Sequence, residues 1–259
     1  MSTMARLFMK GSPVGVDRAQ FDAAYKAHII GHDFLEYPGY YDVEKERYWH
    51  TLCYFADMKR SMTGEMLEVG GGQLAILANK LLGQSAIVGD LTPEYSSPVA
   101  KANIPMVVCN LMDDDPDEFK NRFDVIALLE VIEHLPIPPY VILSKVATWL
   151  RPGGAILLTT PNLFRLRNLA RMAIGRDPFD RFMYPSVGQG LGHQTEYSAD
   201  HLAWQIERAG LRVELLEHSQ LGQTGHSTFA RLARKLTSPL RVRKKWREEL
   251  VAIARKDSY

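Results

Sequence analysis

The residues of this sequence best suited to chemistry are three polar side chains that follow a buried apolar run. Asp124 precedes five apolar residues, a pattern typical of a parallel strand buried on both faces. Glu130, Glu133 and His134 come next, at positions i, i+3 and i+4. If the chain turns helically after Leu129, this spacing places two carboxylates and an imidazole on one face. Such a face can hold a metal ion or transfer protons, at the strand end where open α/β sheets bind ligands.

A glycine-rich turn at residues 70–72 forms a second candidate site. A short strand, MLEV, is predicted before it, and residues 74–82 have helical spacing after it. Such a turn lets a ligand approach the backbone closely and directs the N–H groups of a helix N-terminus at it. With Ala75 the turn also satisfies the dinucleotide pattern GxGxxA, and Asp90 stands 20 residues after Gly70, where a ribose-binding acid is expected. The turn alone does not distinguish one nucleotide cofactor from another.

The elements that must position these residues alternate between strand and helix from residue 65 to residue 255. This alternation predicts a doubly wound α/β domain, which we place at residues 61–259, with a basic segment at 226–247 between the last two strands. Residues 1–60 are predicted to be an N-terminal tail and an aromatic-rich helical cap on the sheet. The alternative for the cap is a substrate lid that includes one of three tyrosines: Tyr37, Tyr40 or Tyr41.

The composition is that of a globular protein, with 46% hydrophobic and 24% charged residues. The net charge of +1 conceals an asymmetry, because residues 231–247 hold eight of the 31 Lys and Arg residues and no acid. This run and the arginines of residues 163–176 could meet the phosphates of a nucleotide-sugar, a polyanion or a membrane surface, or form a solvated face. The basic segment therefore has two possible roles, which are binding of an anionic partner and formation of a solvated face.

The two cysteines, Cys53 and Cys109, lie far apart and show no metal-finger spacing. No run approaches the roughly 18 apolar residues of a membrane span, and residues 1–15 lack the apolar core of a signal peptide. From the sequence we expect a soluble, cytoplasmic protein.

Several sequence blocks together resemble the class I S-adenosylmethionine-dependent methyltransferases. They occur in the order of that family and cover roughly residues 65–256. The resemblance implies a Rossmann-like, seven-stranded sheet of order 3-2-1-4-5-7-6, with the last strand antiparallel and S-adenosyl-L-methionine over strands one, two and four. The blocks are LEVGGGQ at 67–73, VGDLTPE at 88–94, FDVIALLEVIEHLP at 123–136, LRPGGAILLTTPN at 150–162 and VAIARK at 251–256.

The resemblance also implies a set of cofactor-binding residues. The glycine turn and the acid before it would shape the methionine side, Asp90 would accept both ribose hydroxyls, and Asn110 would lie near the adenine amino group. A carboxylate suits a diol because its two oxygens accept both O–H groups. The chain departs from the family at Leu74, where a third glycine is common. The cofactor-binding set is Glu68, Gly70, Gly71, Gly72, Asp90, Leu91, Asn110, Leu111, Leu129 and Glu130.

The EVIEH group is similar to the segment that binds a divalent cation in two subgroups, the ubiquinone-biosynthesis O-methyltransferases and the small-RNA 2′-O-methyltransferases. In the RNA enzymes a further histidine after the fifth strand completes the site, and His193 occupies the corresponding position. The resemblance thus implies that Glu130, Glu133, His134 and His193 bind Mg²⁺ or Mn²⁺, although two imidazoles suit Mn²⁺, Fe²⁺ or Zn²⁺ better than Mg²⁺. In the alternative, Glu130 lines the cofactor site, Glu133 caps the next helix and His134 is a packed histidine or a general base.

The resulting functional hypothesis is O-methylation of a hydroxyl, in particular one of a neighbouring pair, on a small-molecule or glycan-like acceptor. A sugar hydroxyl is a poor nucleophile at neutral pH, so it needs a base or a metal, and His134 and His193 are the candidate catalytic residues. The alternatives are an N-methyltransferase, a nicotinamide-dependent oxidoreductase that uses the GxGxxA turn, and a non-catalytic module that binds RNA or another anion.

Overall fold

A computed structural model describes residues 16–32, 34, 39–59, 62–178, 192–221 and 243–258. Tyr37, most of the basic segment 226–247 and the middle of the loop at 176–194 lie outside these ranges. The predictions made for them therefore remain predictions.

Seven strands form one sheet with the order β3-β2-β1-β4-β5-β7-β6, which confirms the predicted fold class. All neighbouring strands are parallel except β7, which is antiparallel to both β5 and β6. The carboxyl ends of β1, β2 and β4 therefore meet at one edge in the middle of the sheet, where the two candidate sites are expected. The strands are β1 (Glu65–Val69), β2 (Ala86–Asp90), β3 (Met106–Val108), β4 (Phe123–Leu129), β5 (Leu150–Pro161), β6 (Arg212–Ser219) and β7 (Glu249–Arg255).

Apolar side chains cover both faces of this sheet, as a doubly wound arrangement requires. Alternate residues of the central strand face opposite layers: Val125 belongs to one buried cluster, and Ile126 to the other. The N-terminal helices α1 and α2 pack on the first layer, so they form the predicted helical cap. The helices are α1 (Arg18–His28), α2 (Tyr40–Lys59), α3 (Gln73–Leu82), α4 (Ser96–Lys101), α5 (Pro139–Trp149), α6 (Leu166–Ala173) and α7 (Ala199–Arg208). None of the helices in these ranges is long and apolar enough to cross a bilayer.

Two helix ends carry local signals in the sequence. Helix α3 ends at Gly83, which adopts a left-handed conformation, and Ser198 caps α7 by accepting from the backbone N–H of His201. Residues 151–154 form an irregular start of β5, with a register shift against β4.

The helical turn expected directly after Leu129 is absent at that position, which corrects one prediction. Glu130 has a φ of 56°, in the left-handed region, and only Ile132–His134 form a single 3₁₀ turn. The backbone N–H of Glu130 donates to the carbonyl oxygen of Thr159 on β5, so the chain first follows the sheet and then turns. As a result Glu130 does not share a helical face with Glu133 and His134.

Candidate functional site

The glycine turn after β1 is held in a conformation that only glycine adopts easily. Gly70, Gly71 and Gly72 have φ values of 89°, 79° and 92°. A Cβ atom on Gly72 would also lie 2.9 Å from the side chain of Val88, so β2 leaves no room for a larger residue. The turn therefore brings bare backbone to the carboxyl edge of the sheet and starts α3 there.

Glu68 lies beneath this turn and fixes it. Its carboxylate is buried and accepts from the backbone N–H groups of Leu74 at 3.3 Å and Ala75 at 2.5 Å, in the first turn of α3. Burial raises the pKa of Glu68 to about 8, against the opposing effect of these hydrogen bonds. Glu68 thus shapes the site from behind.

Asp90, the last residue of β2, is the acid that faces the turn. Its Oδ2 accepts from the backbone N–H of Gly71 at 3.1 Å, and its Oδ1 accepts from that of Thr92 at 3.4 Å. The residue is 7% exposed, and burial raises its pKa above the ordinary value. These two hydrogen bonds orient both carboxylate oxygens, while the side chain still borders the adjoining cavity.

A cavity of about 570 Å³ opens at this edge of the sheet and joins the two candidate sites. Its volume lies within the range of roughly 300–1,000 Å³ typical of small-molecule sites. Most of the predicted cofactor-binding residues line it, whereas Gly72 is covered by α3 and Glu68 borders a smaller cavity beneath. The predicted residues on the wall are Gly70, Gly71, Asp90, Leu91, Asn110, Leu111, Leu129, Glu130 and His134.

Asn110 lies on the cavity wall, but its amide is engaged within its own turn. The amide nitrogen donates to Asp113 at 2.8 Å, and the amide oxygen accepts from the backbone N–H of Met112 at 2.9 Å. Asn110 therefore shapes the loop that would face the adenine.

Helix α2 contributes residues that no sequence motif indicated. Arg47 lines both cavities, donates to the hydroxyl of Tyr40, and lies 3.6 Å from the carboxylate of Glu44. Gln73 also borders the cavity and donates to the hydroxyl of Tyr41 at 2.8 Å. The only sequence signal for these residues was an aromatic-rich helix, which was consistent both with a substrate lid and with a simple cap. The structure places Tyr40 and Tyr41 on the wall of the site.

The small cavity beneath Arg47 is bordered by polar atoms that lack hydrogen-bond partners. Within the part of the chain that the structure describes, Oε1 of Glu130 and the hydroxyl of Thr159 are buried without a hydrogen-bond partner, as is Oε2 of Glu249 nearby. Burial, and then the charge of Glu130, raise the pKa of Glu249 well above its usual value. Unsatisfied buried polar groups are costly, so this corner is shaped for a polar ligand group.

At the other end of the cavity, Glu133, His134 and His193 converge. One ligand atom from each lies within 4.8 Å of the other two, and the imidazole rings are 5.1 Å apart. Glu130, the fourth predicted ligand, is not part of this group, because its left-handed conformation separates it from the 3₁₀ turn. The structure thus brings together three of the four residues predicted to bind a metal, which are about 60 positions apart in the chain.

Both imidazoles are oriented by acceptors at Nδ1. His134 Nδ1 lies 2.6 Å from the carbonyl oxygen of Gly192, and His193 Nδ1 lies 2.9 Å from Oε1 of Glu196. Since both partners accept, Nδ1 of each ring is the donor, which leaves Nε2 as the atom that can offer a lone pair when the ring is neutral. Burial lowers the pKa of His134, which favours the neutral ring.

Glu196 and Arg165 anchor this arrangement from outside the cavity, and neither was predicted. The fully buried carboxylate of Glu196 accepts from Arg165 at 2.5 Å and from the amide of Asn168 at 2.6 Å, in addition to His193. Carboxylate–histidine pairs of this kind typically support metal ligands. A carboxylate three residues after His193 was the only signal for Glu196 in the sequence. Arg165 was expected, with the other arginines of residues 163–176, to meet phosphates or to lie on a solvated face, and the structure instead buries it against Glu196.

Glu133 is the third member of the group that it forms with His134 and His193. Its side chain is fully buried, Oε2 accepts from the hydroxyl of Thr160 at 3.0 Å, and Oε1 has no hydrogen-bond partner among the described residues. Burial, and then the charge of Glu130, raise the pKa of Glu133 well above its usual value. A buried carboxylate oxygen without a donor, beside two imidazole lone pairs, is the pattern of a cation site.

Comparisons with known proteins agree with this geometry. Residues 44–216 match the family described as a methyltransferase domain. A Haloferax volcanii methyltransferase solved in complex with a methyltransferase activator has 16% identity and a TM-score of 0.59, over 93% of this chain and 98% of that chain. A Mesorhizobium loti S-adenosylmethionine-dependent methyltransferase has 14% identity and a TM-score of 0.56, over 81% of this chain and 98% of that chain. A Galdieria sulphuraria protein described as a sarcosine dimethylglycine methyltransferase has 14% identity and a TM-score of 0.54, over 81% of this chain and 85% of that chain. No curated protein sequence matches the chain.

The strand order also argues against the nicotinamide alternative. Dinucleotide-binding sheets have the order 3-2-1-4-5-6, whereas here β7 inserts antiparallel between β5 and β6. The family match covers the glycine turn, the acid after β2 and the group at the end of β4. The chain belongs to the methyltransferase-domain family, with the fold of the class I S-adenosylmethionine-dependent enzymes.

Proposed function

We propose that this protein transfers the methyl group of S-adenosylmethionine to a hydroxyl, in particular one of a neighbouring pair, of a small-molecule or glycan-like acceptor. We further propose that a divalent cation held by Glu133, His134 and His193 assists the transfer. The observation that carries the proposal is the convergence of these three side chains, one of which, His134, lines the cavity that the glycine turn borders.

The cavity fits the cofactor that the family implies. Asp90 would hold the ribose hydroxyls, and Leu91 and Leu111 would flank the adenine. Arg47 and Glu130 offer one charge of each sign beside the glycine turn, which suits the carboxylate and the ammonium of the methionine end. The cofactor supplies an electrophilic methyl group, so the protein has mainly to align the acceptor with it.

The donor set also fits a cation. A buried carboxylate oxygen and two imidazole nitrogens form a two-histidine, one-carboxylate set, which suits Mn²⁺, Fe²⁺ or Zn²⁺ better than Mg²⁺. A cation bound there would lower the pKa of a coordinated hydroxyl. His134 borders the cavity itself, so its neutral ring is also placed to hold an acceptor proton at Nε2.

Two binding measurements test the proposal separately. S-adenosylhomocysteine should raise the melting temperature while NAD and NADP should not, because only the former matches the site. Titration of Mn²⁺ into the metal-free protein should show one site that Glu133→Gln removes, with unchanged S-adenosylhomocysteine affinity. An intact cofactor response without any cation binding would retain the methyltransferase and refute the metal site.

In the competing mechanism a histidine acts as the base and no metal takes part. The lowered pKa of His134 supports this mechanism as well as the metal mechanism, because both need the neutral ring. In that case EDTA should leave turnover unchanged. In the metal mechanism EDTA should abolish turnover, and Mn²⁺ should restore it. A panel of catechol-like, sugar and amine acceptors would distinguish O-methylation from N-methylation, and product formed from amines alone would contradict the hydroxyl assignment.

A further inference from the structure

Large apolar side chains are exposed on helix α6 and at both of its ends. Phe164, before the helix, is 45% exposed, Met172 in its last turn is 39% exposed, and Ile174, just after it, is 68% exposed. The helix is held to the protein by polar residues, because Asn168 is its buried residue and Arg165, just before it, is also buried. A surface helix ordinarily buries its large apolar side chains, so these three are unusual.

These three side chains are concentrated on one part of the molecule. The described residues include seven exposed large apolar side chains, and three of them lie within residues 164–174. Scattered exposed apolar residues are normal, but a local concentration indicates a contact with a partner or a membrane.

Basic residues surround the apolar side chains. Arg167, Arg171 and Arg176 lie within residues 164–176, which contain no acid. The exposed Arg243, Lys244 and Lys245 follow in a second segment. The amide of Asn162, at the end of β5, donates to the carbonyl oxygens of Lys245 and Arg247 and so joins this segment to the base of α6.

The tether of α6 connects this surface to the candidate active site. Arg165 and Asn168 bind the carboxylate of Glu196, which in turn accepts from His193. The helix is therefore fixed through Glu196 to His193, one of the three residues of the candidate metal group.

We propose that this basic apolar surface, formed by residues 164–176 and 243–245, binds an anionic lipid bilayer. Amphipathic helices with arginines beside exposed Phe, Met and Ile side chains lie in the interfacial plane of membranes, with the apolar side chains below the headgroups. Nucleic acid would satisfy the basic residues and leave the apolar side chains in water. Docking would place the acceptor entrance next to the membrane, so a membrane-borne acceptor could reach it. The proposal does not depend on the metal site.

The test is co-sedimentation of the full chain with vesicles of phosphatidylcholine, with and without phosphatidylglycerol. Binding should require phosphatidylglycerol and should decrease with added salt. The combined variant Phe164→Ser, Met172→Ser and Ile174→Ser should bind at least tenfold more weakly, because those side chains no longer enter the apolar layer. Val141→Ser with Trp204→Ser is the matched control, since both residues are exposed apolar side chains on α5 and α7, and it should bind as the unaltered protein does.

A second pair of variants tests the charge. Each basic residue at an anionic surface contributes about fivefold in affinity, so Lys244→Gln with Lys245→Gln should weaken vesicle binding by about 25-fold. The control Lys26→Gln with Lys101→Gln removes two exposed lysines elsewhere and should have no effect.

Three results would overturn the proposal. They are absence of binding to phosphatidylglycerol vesicles, an equal loss in the control variants, and undiminished binding of the apolar triple variant. Undiminished binding of that variant, together with tight binding to heparin or RNA, would assign the surface to a polyanion. Melting curves of all variants should match, because these side chains make few buried contacts.

Discussion

Replacing Glu196 by glutamine is the most informative perturbation of the candidate site, because this side chain serves two functions at once. It forms a buried ion pair with Arg165, and it accepts the Nδ1 proton of His193. Glutamine keeps the size and one acceptor oxygen but loses the charge. Breaking a buried pair from one side costs about 3–5 kcal/mol in the free energy of unfolding. Loss of a carboxylate behind a ligating histidine lowers metal affinity by about 10–100-fold.

Arg165→Gln separates the two effects. It breaks the same ion pair and leaves Glu196 buried and charged, so we expect a similar loss of about 3–5 kcal/mol. The side chains of Arg165 and Glu196 are 6% and 0% exposed, so solvent screening does not reduce this estimate greatly. The hydrogen bond from His193 Nδ1 to Glu196 remains in this variant. Mn²⁺ affinity should therefore change less than threefold, which is well below the loss of about tenfold expected for Glu196→Gln.

The assays are urea unfolding for stability and calorimetric titration of Mn²⁺ for the site, with S-adenosylhomocysteine affinity as a check on the fold. Nitrogen NMR of the His193 ring should show the Nδ1–H form in the unaltered protein and a mixture of tautomers in Glu196→Gln. If Arg165→Gln weakened Mn²⁺ binding as much as Glu196→Gln, general loosening of the fold would explain both, and the orienting role of Glu196 would be refuted.

Three further predictions concern the cofactor end and the base. Asp90→Asn keeps one acceptor oxygen and should remove one charge-assisted hydrogen bond, worth about 1.5–3 kcal/mol. S-adenosylhomocysteine binding, measured by calorimetry, should therefore weaken at least tenfold. The control is Asp117→Asn, which changes an exposed acid at the opposite end of the sheet and should have no effect. Arg47→Met should weaken S-adenosylhomocysteine more than it weakens 5′-methylthioadenosine, which lacks the amino-acid end, and equal losses for the two ligands would contradict the placement of Arg47. Burial lowers the pKa of His134 from its ordinary value, and only the neutral ring can accept a proton or bind a metal. The profile of kcat/KM should therefore fall towards acid pH with a midpoint below the ordinary histidine value of about 6.5, and a midpoint above that value would refute this role.

Much of the fold could be predicted because its signals are local. The apolar run of β4, the glycine turn and the caps at Gly83 and Ser198 each depend on a few consecutive residues. The strand order did not follow from these signals. It came from the resemblance of whole sequence blocks, in the order in which they occur, and the structure confirms it.

The candidate site was less predictable because tertiary contacts build it. The i, i+3, i+4 spacing suggested that Glu130 would join Glu133 and His134, but the hydrogen bond to Thr159 holds Glu130 on the sheet edge. Arg47 reaches the site from a helix outside any motif, and Arg165 acts through Glu196 from the far side of His193. Neither spacing nor composition encodes contacts of this kind.

The buried acids around Arg47 explain why this corner of the site departs from ordinary folding rules. Glu130 and Glu249 each have a buried oxygen that no described residue donates to, and each such group costs about 1–3 kcal/mol. A chain selected for stability alone would replace them with apolar residues, because the surrounding layer is otherwise apolar. A ligand that supplied an ammonium to Glu130 and a carboxylate to Arg47 would recover part of this cost on binding, and only the folded state would benefit. The methionine end of S-adenosylmethionine carries both groups, so binding of this cofactor as proposed would resolve the local conflict.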